Sequence, residues 1–162
     1  MSIPCLDRDH FDFERFVKKR MNDAEDSILS AEWCFCGRGI PLLYEFYLNK
    51  DGKHLENQVA GENIFTCIKT DEYALKTFNR FLYMFGALLM SNCSVLLPDD
   101  GIVLCGSILN CVIKHMENDM SNPETSYFYK GFLSNPCIND YLKTIPIYFT
   151  PEQDMGKKGC QV

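Results

Sequence analysis

The stretch GIVLCGSILNCVI, residues 101–113, decides the fold class of this chain. Residues 101–106 are β-branched or apolar and are bounded by glycines, a pattern that predicts a short, fully buried strand. Residues 107–118 predict a helix that begins directly after this strand. The glycine between them lets the backbone turn tightly, and a helix N-terminus offers N–H groups to a ligand that carries acceptor atoms.

A second strand is predicted in the segment TIPIYF, residues 144–149. Because residues 101–149 have the length of a strand–helix–strand crossover, we expect the two strands to be parallel and buried. Further helices are expected from the spacing of apolar residues, which predicts them over 11–29, 40–48, 62–69, about 71–97 and 126–133. Residues 36–39 and 135–140 predict turns. The fold class is therefore α/β, rich in helix, with a few buried strands.

One uncharged run, FLYMFGALLMSNCSVLL at residues 81–97, is just long enough for a membrane-spanning helix. It contains Ser91, Asn92 and Ser94, and no basic cluster flanks either end. A helix that is apolar on nearly every side is also typical of a buried core. We favour the core interpretation and expect no membrane association, with a single-span anchor as the alternative.

Composition excludes several classes of function. The chain has 162 residues, about one domain, and a net charge of −6 from 16 basic and 22 acidic residues. Because the basic runs are confined to residues 18–20 and 157–158, a nucleic-acid partner is not expected. Nine cysteines occur without a CxxC pair, which favours reduced thiols, no metal site and a cytoplasmic location. The N-terminus also lacks the pattern of a signal peptide.

Few residues point to a ligand on their own. The turn at Gly106 and Ser107 matches neither a P-loop nor GxGxxG, so a purely structural turn stays open. Glu32 stands beside Trp33, and a carboxylate next to an aromatic ring can accept two hydroxyl hydrogen bonds from a sugar; an ordinary surface glutamate is the alternative. The histidines are far apart in sequence, and none pairs with a nucleophile, so no catalytic residue is assigned.

Taken in order, five segments resemble ATP-dependent glucokinases of the bacterial type, which belong to the actin-like sugar kinases. The resemblance extends over roughly residues 30–160. Its segments are SAEWCFCGRGIPLLYEFY (30–47), TFNRFLYMFGALLMSNCSVLL (77–97), GIVLCGSILNCVI (101–113), YKGFLSN (129–135) and YLKTIPIYF (141–149).

The resemblance implies a fold and a reaction. Residues 1–162 would form a single domain equivalent to the C-terminal large domain of an actin-like (ribonuclease H-like) kinase, with the N-terminal phosphate-binding and catalytic domain absent. The implied reaction transfers the γ-phosphoryl group of ATP to the 6-hydroxyl of glucose, or a similar hexose, with Mg²⁺. It yields glucose 6-phosphate at the first step of glycolysis.

The resemblance also assigns roles to individual residues. Glu32 falls on a glutamate that binds sugar hydroxyls, and DRDHFDF (7–13) resembles the segment of the sugar-contacting histidine, which implies this role for His10. Gly106 and Ser107 fall on paired glycines that let adenosine lie against the backbone; serine adds a side chain there.

The catalytic aspartate and the phosphate loops of the family have no counterpart in this sequence. We therefore expect the chain alone to bind sugar or nucleotide without turnover, and to be active only with a companion small domain. The alternative is a non-catalytic interaction or oligomerisation domain, such as a homodimer, derived from a sugar kinase.

Overall fold

The computed structural model describes residues 6–22, 30, 32–35, 37–55 and 59–151. The chain divides into two compact units, Met1–Phe85 and Gly86–Val162. Both units are built mainly of helices, and the second contains a parallel two-stranded sheet. The helix-rich α/β prediction is confirmed at this level, while the single-domain prediction for 1–162 and the actin-like assignment stay predictions.

The described part of the first unit consists of helices. The last of them starts in the first unit and ends in the second. These helices are α1 (Arg8–Met21), α2 (Glu32–Phe35), α3 (Gly39–Lys50), α4 (Gly61–Thr66) and α5 (Glu72–Leu96). Helix α1 begins three residues before its predicted start, because the Asp7 side chain accepts a hydrogen bond from the His10 N–H and caps the helix. It ends at Asn22, which has a left-handed backbone. Residues 23–29 of the predicted helix lie outside the described residues.

The core of the first unit is aromatic. Phe13 of α1 meets Phe46 of α3 edge to face, with ring centroids 5.5 Å apart. Phe65 of α4 meets Phe78 of α5 in the same manner at 5.7 Å. Each fully buried side chain of this size stabilises the fold by about 1.5–3 kcal/mol, so these contacts fix α1 against α3 and α4 against the start of α5.

The second unit contains the predicted crossover. After the end of α5 come β1 (Ile102–Leu104), α6 (Ser107–Met120), α7 (Tyr127–Phe132), α8 (Asn139–Leu142) and β2 (Ile147–Phe149). The strands are parallel, with Ile102 opposite Ile147 and Leu104 opposite Phe149, as predicted. Helix α8 occupies part of the predicted turn at 135–140; a four-residue helix is too short to produce an apolar period.

A carboxylate joins α6 to α7. The Asp119 side chain accepts hydrogen bonds from the Ser126 hydroxyl at 2.6 Å and from the backbone N–H groups of Tyr127 and Phe128 at 3.0 and 3.1 Å. The last turn of α6 therefore supplies the acceptors that the first turn of α7 needs.

The prediction that both strands are fully buried is wrong. The side chains of Val103 and Tyr148 are 57% and 54% exposed. These two residues are partners in the register, so they lie on the same face of the sheet. Burial of that face requires an element outside the two strands, and the described part of the chain places none over it.

Residues 81–96 of the uncharged run form the second half of α5, and those up to Cys93 are buried or half-buried. In the described part of the chain, no helix combines the length and the apolarity needed to cross a membrane. The core interpretation therefore describes most of this run, while its last residues are exposed.

Gly86 determines how closely α5 approaches α7. A Cβ atom at this position would overlap the carbonyl oxygen of Phe128 and lie 2.7 Å from the backbone nitrogen of Phe132. Because both contacts are with backbone atoms, a rotamer change cannot relieve them.

We expect Gly86→Ala to lower the free energy of unfolding by about 1–3 kcal/mol through this overlap. The measurement is urea denaturation followed by circular dichroism. Gly37→Ala is the matched control, because an added Cβ there meets nothing within 4 Å. Equal stability of the two variants would contradict the proposed packing.

Candidate functional site

Gly106 and Ser107 form the turn from β1 into α6, as predicted, while their contact with a nucleotide stays a prediction. Gly106 precedes the helix with φ 135° and ψ 160°, and no side chain of the described residues caps the start of the helix. A residue with a side chain is strained at this φ, so glycine is required by the backbone. An added Cβ would meet no atom within 4 Å, which shows that the space beside Gly106 is open. A flat ligand can therefore approach the backbone here.

Ser107 is the first residue of α6, and it is exposed. Its side chain therefore stands beside the open space at Gly106. One turn later, Asn110 Nδ2 donates a hydrogen bond to the carbonyl oxygen of Pro151 at 3.2 Å. This bond ties the first turn of α6 to the segment that follows β2, so the turn is held from two directions.

Glu32 begins the short helix α2, which the sequence analysis did not predict. The backbone N–H of Trp33 donates to the carbonyl oxygen of Ser30 at 3.1 Å and holds the start of this helix. An exposed turn at Gly37 and Arg38 leads into α3. The side chain of Glu32 lies outside the described residues, so its contact with a sugar stays a prediction.

His10 lies in the first turn of α1, and its side chain is completely buried. Its Nδ1 accepts a hydrogen bond from the Leu6 backbone N–H at 3.1 Å, so the neutral ring carries its proton on Nε2. Among the described residues, Nε2 has no hydrogen-bond partner, and a carboxylate oxygen of Glu14 lies 3.7 Å away. Burial, and then the charge of Arg80, lower the pKa of His10 to about 4, against the opposing effect of Asp7 and Asp9.

A polar network surrounds His10. Asp7 accepts two hydrogen bonds from the Arg80 guanidinium, at 2.8 and 2.7 Å, and these bonds lower the pKa of Asp7 to about 2. Asp9 accepts from the Tyr47 hydroxyl at 2.7 Å and from Lys50 Nζ at 2.6 Å. Sequence reasoning missed this network, although an arginine among the apolar residues of α5 was a signal that a buried partner exists.

The two predicted pairs of site residues lie in different units. Glu32 and His10 belong to the first, and Gly106 and Ser107 belong to the second. Within the described residues, no group of three histidine, cysteine or acidic side chains could hold a metal ion.

A groove of about 610 Å³ also opens between α1 and α3, and it contains none of the predicted site residues. It is lined by Phe16, Lys19, Arg20, Asn22, Glu45 and Asn49.

Comparison with known proteins shows a family and a fold. A family model described as Glucokinase matches residues 6–162. The crystal structure of a glucokinase from an Antarctic psychrotroph is similar, with a TM-score of 0.78 at 18% sequence identity. The match covers 99% of this chain and 47% of that one, so this chain spans about half of its length. No curated protein matches the chain.

The buried neutral state of His10 predicts a pH dependence of stability. Its pKa of about 4 in the folded chain is below the ordinary value of 6.5, so the unfolded chain binds the proton more readily between these pH values. The free energy of unfolding should therefore fall as the pH falls from 6.5 to 4, by about 3 kcal/mol from this group.

Urea denaturation at several pH values measures this dependence. His10→Asn keeps an acceptor near the position of Nδ1 but cannot titrate. In this variant the free energy of unfolding should therefore decrease much less between pH 6.5 and 4. His54→Gln is the control, because His54 is exposed and should leave the fall unchanged. A His10→Asn variant with the wild-type pH dependence would contradict the assignment.

Proposed function

This chain belongs to the glucokinase family, and on that premise we propose that it supplies the large-domain half of an ATP-dependent glucose kinase. The proposed reaction transfers the γ-phosphoryl group of ATP to the 6-hydroxyl of glucose. The observation that carries the proposal is the family match over residues 6–162, to which the open start of α6 adds a geometric argument. We also propose that the completed protein has the actin-like fold.

The proposed nucleotide surface is the turn at Gly106 and Ser107. Because Gly106 has no side chain and open space beside it, adenosine can pack against the backbone there. No side chain in the described part of the chain caps the N-terminus of α6, so its N–H groups can donate to acceptor atoms of the nucleotide. ATP, when bound, supplies the phosphoryl group; the role of this chain is to position the nucleoside.

The proposed sugar contacts are Glu32 and His10. A carboxylate at Glu32 would accept hydrogen bonds from two hydroxyl groups, which orients a hexose. His10 would donate through Nε2, because Nδ1 is already occupied by the Leu6 N–H. Since the ring is fully buried, this contact also requires the segment that covers His10 to move when the sugar binds.

No residue of this chain is proposed as the catalytic base. Phosphoryl transfer needs a base near the sugar hydroxyl and groups that hold the phosphates, and we propose that the companion half provides them. The described residues offer no cluster for Mg²⁺, so the ion is assigned to no side chain here and no step is derived through it. The chain alone is then a binding protein for glucose and ATP.

A second candidate function is a non-catalytic interaction domain. It is favoured by the exposed apolar side chains of the second unit, among them Val103 and Tyr148. For either function we propose a cytoplasmic setting, with which the cysteines agree: the six that the structure describes form no disulfide.

Thermal unfolding with glucose tests the sugar contact. A ligand that binds only the folded chain stabilises it by about 2.7 kcal/mol at 100 times its Kd, so glucose should raise Tm by several degrees. Glu32→Gln should abolish the rise. Glu124→Gln, at an exposed position, is the matched control and should preserve it. If glucose leaves the Tm of the unmodified chain unchanged, the sugar proposal is lost.

Calorimetric titration with ATP tests the nucleotide surface. Ser107→Gly removes a side chain from the space that adenosine would occupy, so it should tighten binding by about tenfold, or ~1.4 kcal/mol. Ser121→Gly, at the other end of α6, should leave the affinity unchanged. Unchanged or weaker binding by Ser107→Gly would refute the assignment of adenosine to this turn.

A further inference from the structure

Arg80 is a charged side chain in the largely apolar first half of α5. It is only 9% exposed, and Phe81, Leu82 and Met84, which follow it, are fully or almost fully buried. A guanidinium removed from water is costly unless its N–H groups are paired. The position of Arg80 therefore requires a partner, and the structure of that partner indicates what the residue does.

The partner is Asp7, the residue that caps α1. Nη1 and Nη2 of Arg80 donate to the two carboxylate oxygens of Asp7, at 2.8 and 2.7 Å. One of these oxygens, Oδ1, also accepts the backbone N–H of His10 at 2.9 Å. Because a bidentate pair fixes the orientation of a carboxylate as well as its position, Arg80 holds Asp7 in the arrangement in which it caps the helix.

The cap in turn determines the state of the His10 ring. Because α1 begins at Arg8, His10 lies in the first turn, where its Nδ1 accepts the N–H of Leu6 at 3.1 Å. The proton of the neutral ring is then on Nε2, which makes Nε2 a donor. If the cap were lost, the first turn of α1 would fray and the hydrogen bond from Leu6 would no longer be fixed. Either ring nitrogen could then carry the proton.

Asp9, the other carboxylate near Arg80, has partners of its own. It accepts from the Tyr47 hydroxyl at 2.7 Å and from Lys50 Nζ at 2.6 Å. Its Oδ2 is 4.0 Å from Arg80 Nε, which is too far for a hydrogen bond. Loss of the Arg80 side chain would therefore leave Lys50 on Asp9 and would act first on Asp7.

We propose that Arg80 is a positioning residue for the sugar contact: through Asp7 it fixes the first turn of α1 and keeps Nε2 of His10 as the hydrogen-bond donor. This role rests on the proposed function, in which Nε2 donates to a hexose hydroxyl. Desolvation of both charges offsets the attraction within a buried ion pair, so such a pair adds little net stability compared with apolar packing. What the pair of Arg80 and Asp7 supplies is a fixed geometry.

Nitrogen-15 NMR of the histidine rings tests this role without any ligand. At neutral pH the unmodified chain should show a protonated Nε2 and an unprotonated Nδ1 for His10, with His10→Asn identifying the signals. Arg80→Met should still fold, because methionine is apolar, adaptable and a good helix former, and Asp7 is exposed enough to be hydrated. In this variant the His10 signals should shift toward those of a mixture of the two tautomers.

Arg20→Met is the matched control for the NMR measurement. It also removes an arginine–carboxylate pair of the first unit, the one between Arg20 and Glu45, but that pair is exposed and does not involve the cap of α1. The His10 signals of this variant should equal those of the unmodified chain. Circular dichroism checks that each variant folds.

Calorimetric titrations separate positioning from a general loss of structure. Arg80→Met should weaken glucose binding by about tenfold and leave ATP binding unchanged, because the proposed nucleotide surface is in the second unit. Arg80→Lys keeps the charge but cannot bind both oxygens of Asp7 at once, so its glucose affinity should be intermediate. This variant also provides the test if Arg80→Met does not fold.

Two results would overturn the role of Arg80. One is a folded Arg80 variant in which His10 keeps a single tautomer; the other is an equal loss of affinity for glucose and ATP, which would make the ion pair merely structural. The proposed function fails separately. If the unmodified chain binds no glucose, the sugar contact is lost, while the NMR measurement still decides whether Arg80 positions the ring of His10.

Discussion

The pairing of β1 with β2 is the interaction on which the second unit depends. It begins with the hydrogen bond from the Ile102 N–H to the Pro146 carbonyl, and it places the end of β1 where α6 must start. The left-handed turn at Gly106 then leaves the first N–H groups of α6 uncapped beside open space. A candidate nucleotide surface thus follows from one strand register and one glycine.

The first unit depends on a different kind of contact. Its aromatic core is ordinary, but an arginine of α5 reaches the carboxylate that caps α1. This ion pair and the neutral ring of His10 are polar groups in a largely apolar surrounding. Because such groups need specific partners, they favour one arrangement of the first turn of α1. Loss of the carboxylate would strongly destabilise the unit, because the buried guanidinium would lose its partner.

Local sequence predicted the elements that have a clear period or boundary. Helix α5 and the β1–α6 junction were predicted for that reason, whereas α2 and α8 have four residues each, too few to show a period. The burial of β1 could not be predicted, because exposure of Val103 depends on what covers the sheet. The partner of Arg80 is 73 positions away in sequence, a distance that no local pattern spans. At the candidate site, the Gly106 turn was predicted correctly as a glycine turn into a helix, while the tautomer and burial of His10 required the fold.

The register of the sheet has a consequence for the order of folding. Ile102 and Ile147 are 45 positions apart, whereas Asp119 meets the start of α7 across only seven to nine. Closing the longer loop costs more chain entropy, and packing of the helices between the two strands is needed to offset that cost. We therefore expect α6 and α7 to associate before β1 pairs with β2. Until then the aliphatic segment at 101–104 is an unpaired strand in water, which is the state from which chains of this kind aggregate. A newly made chain is therefore most vulnerable in the interval between helix docking and strand closure.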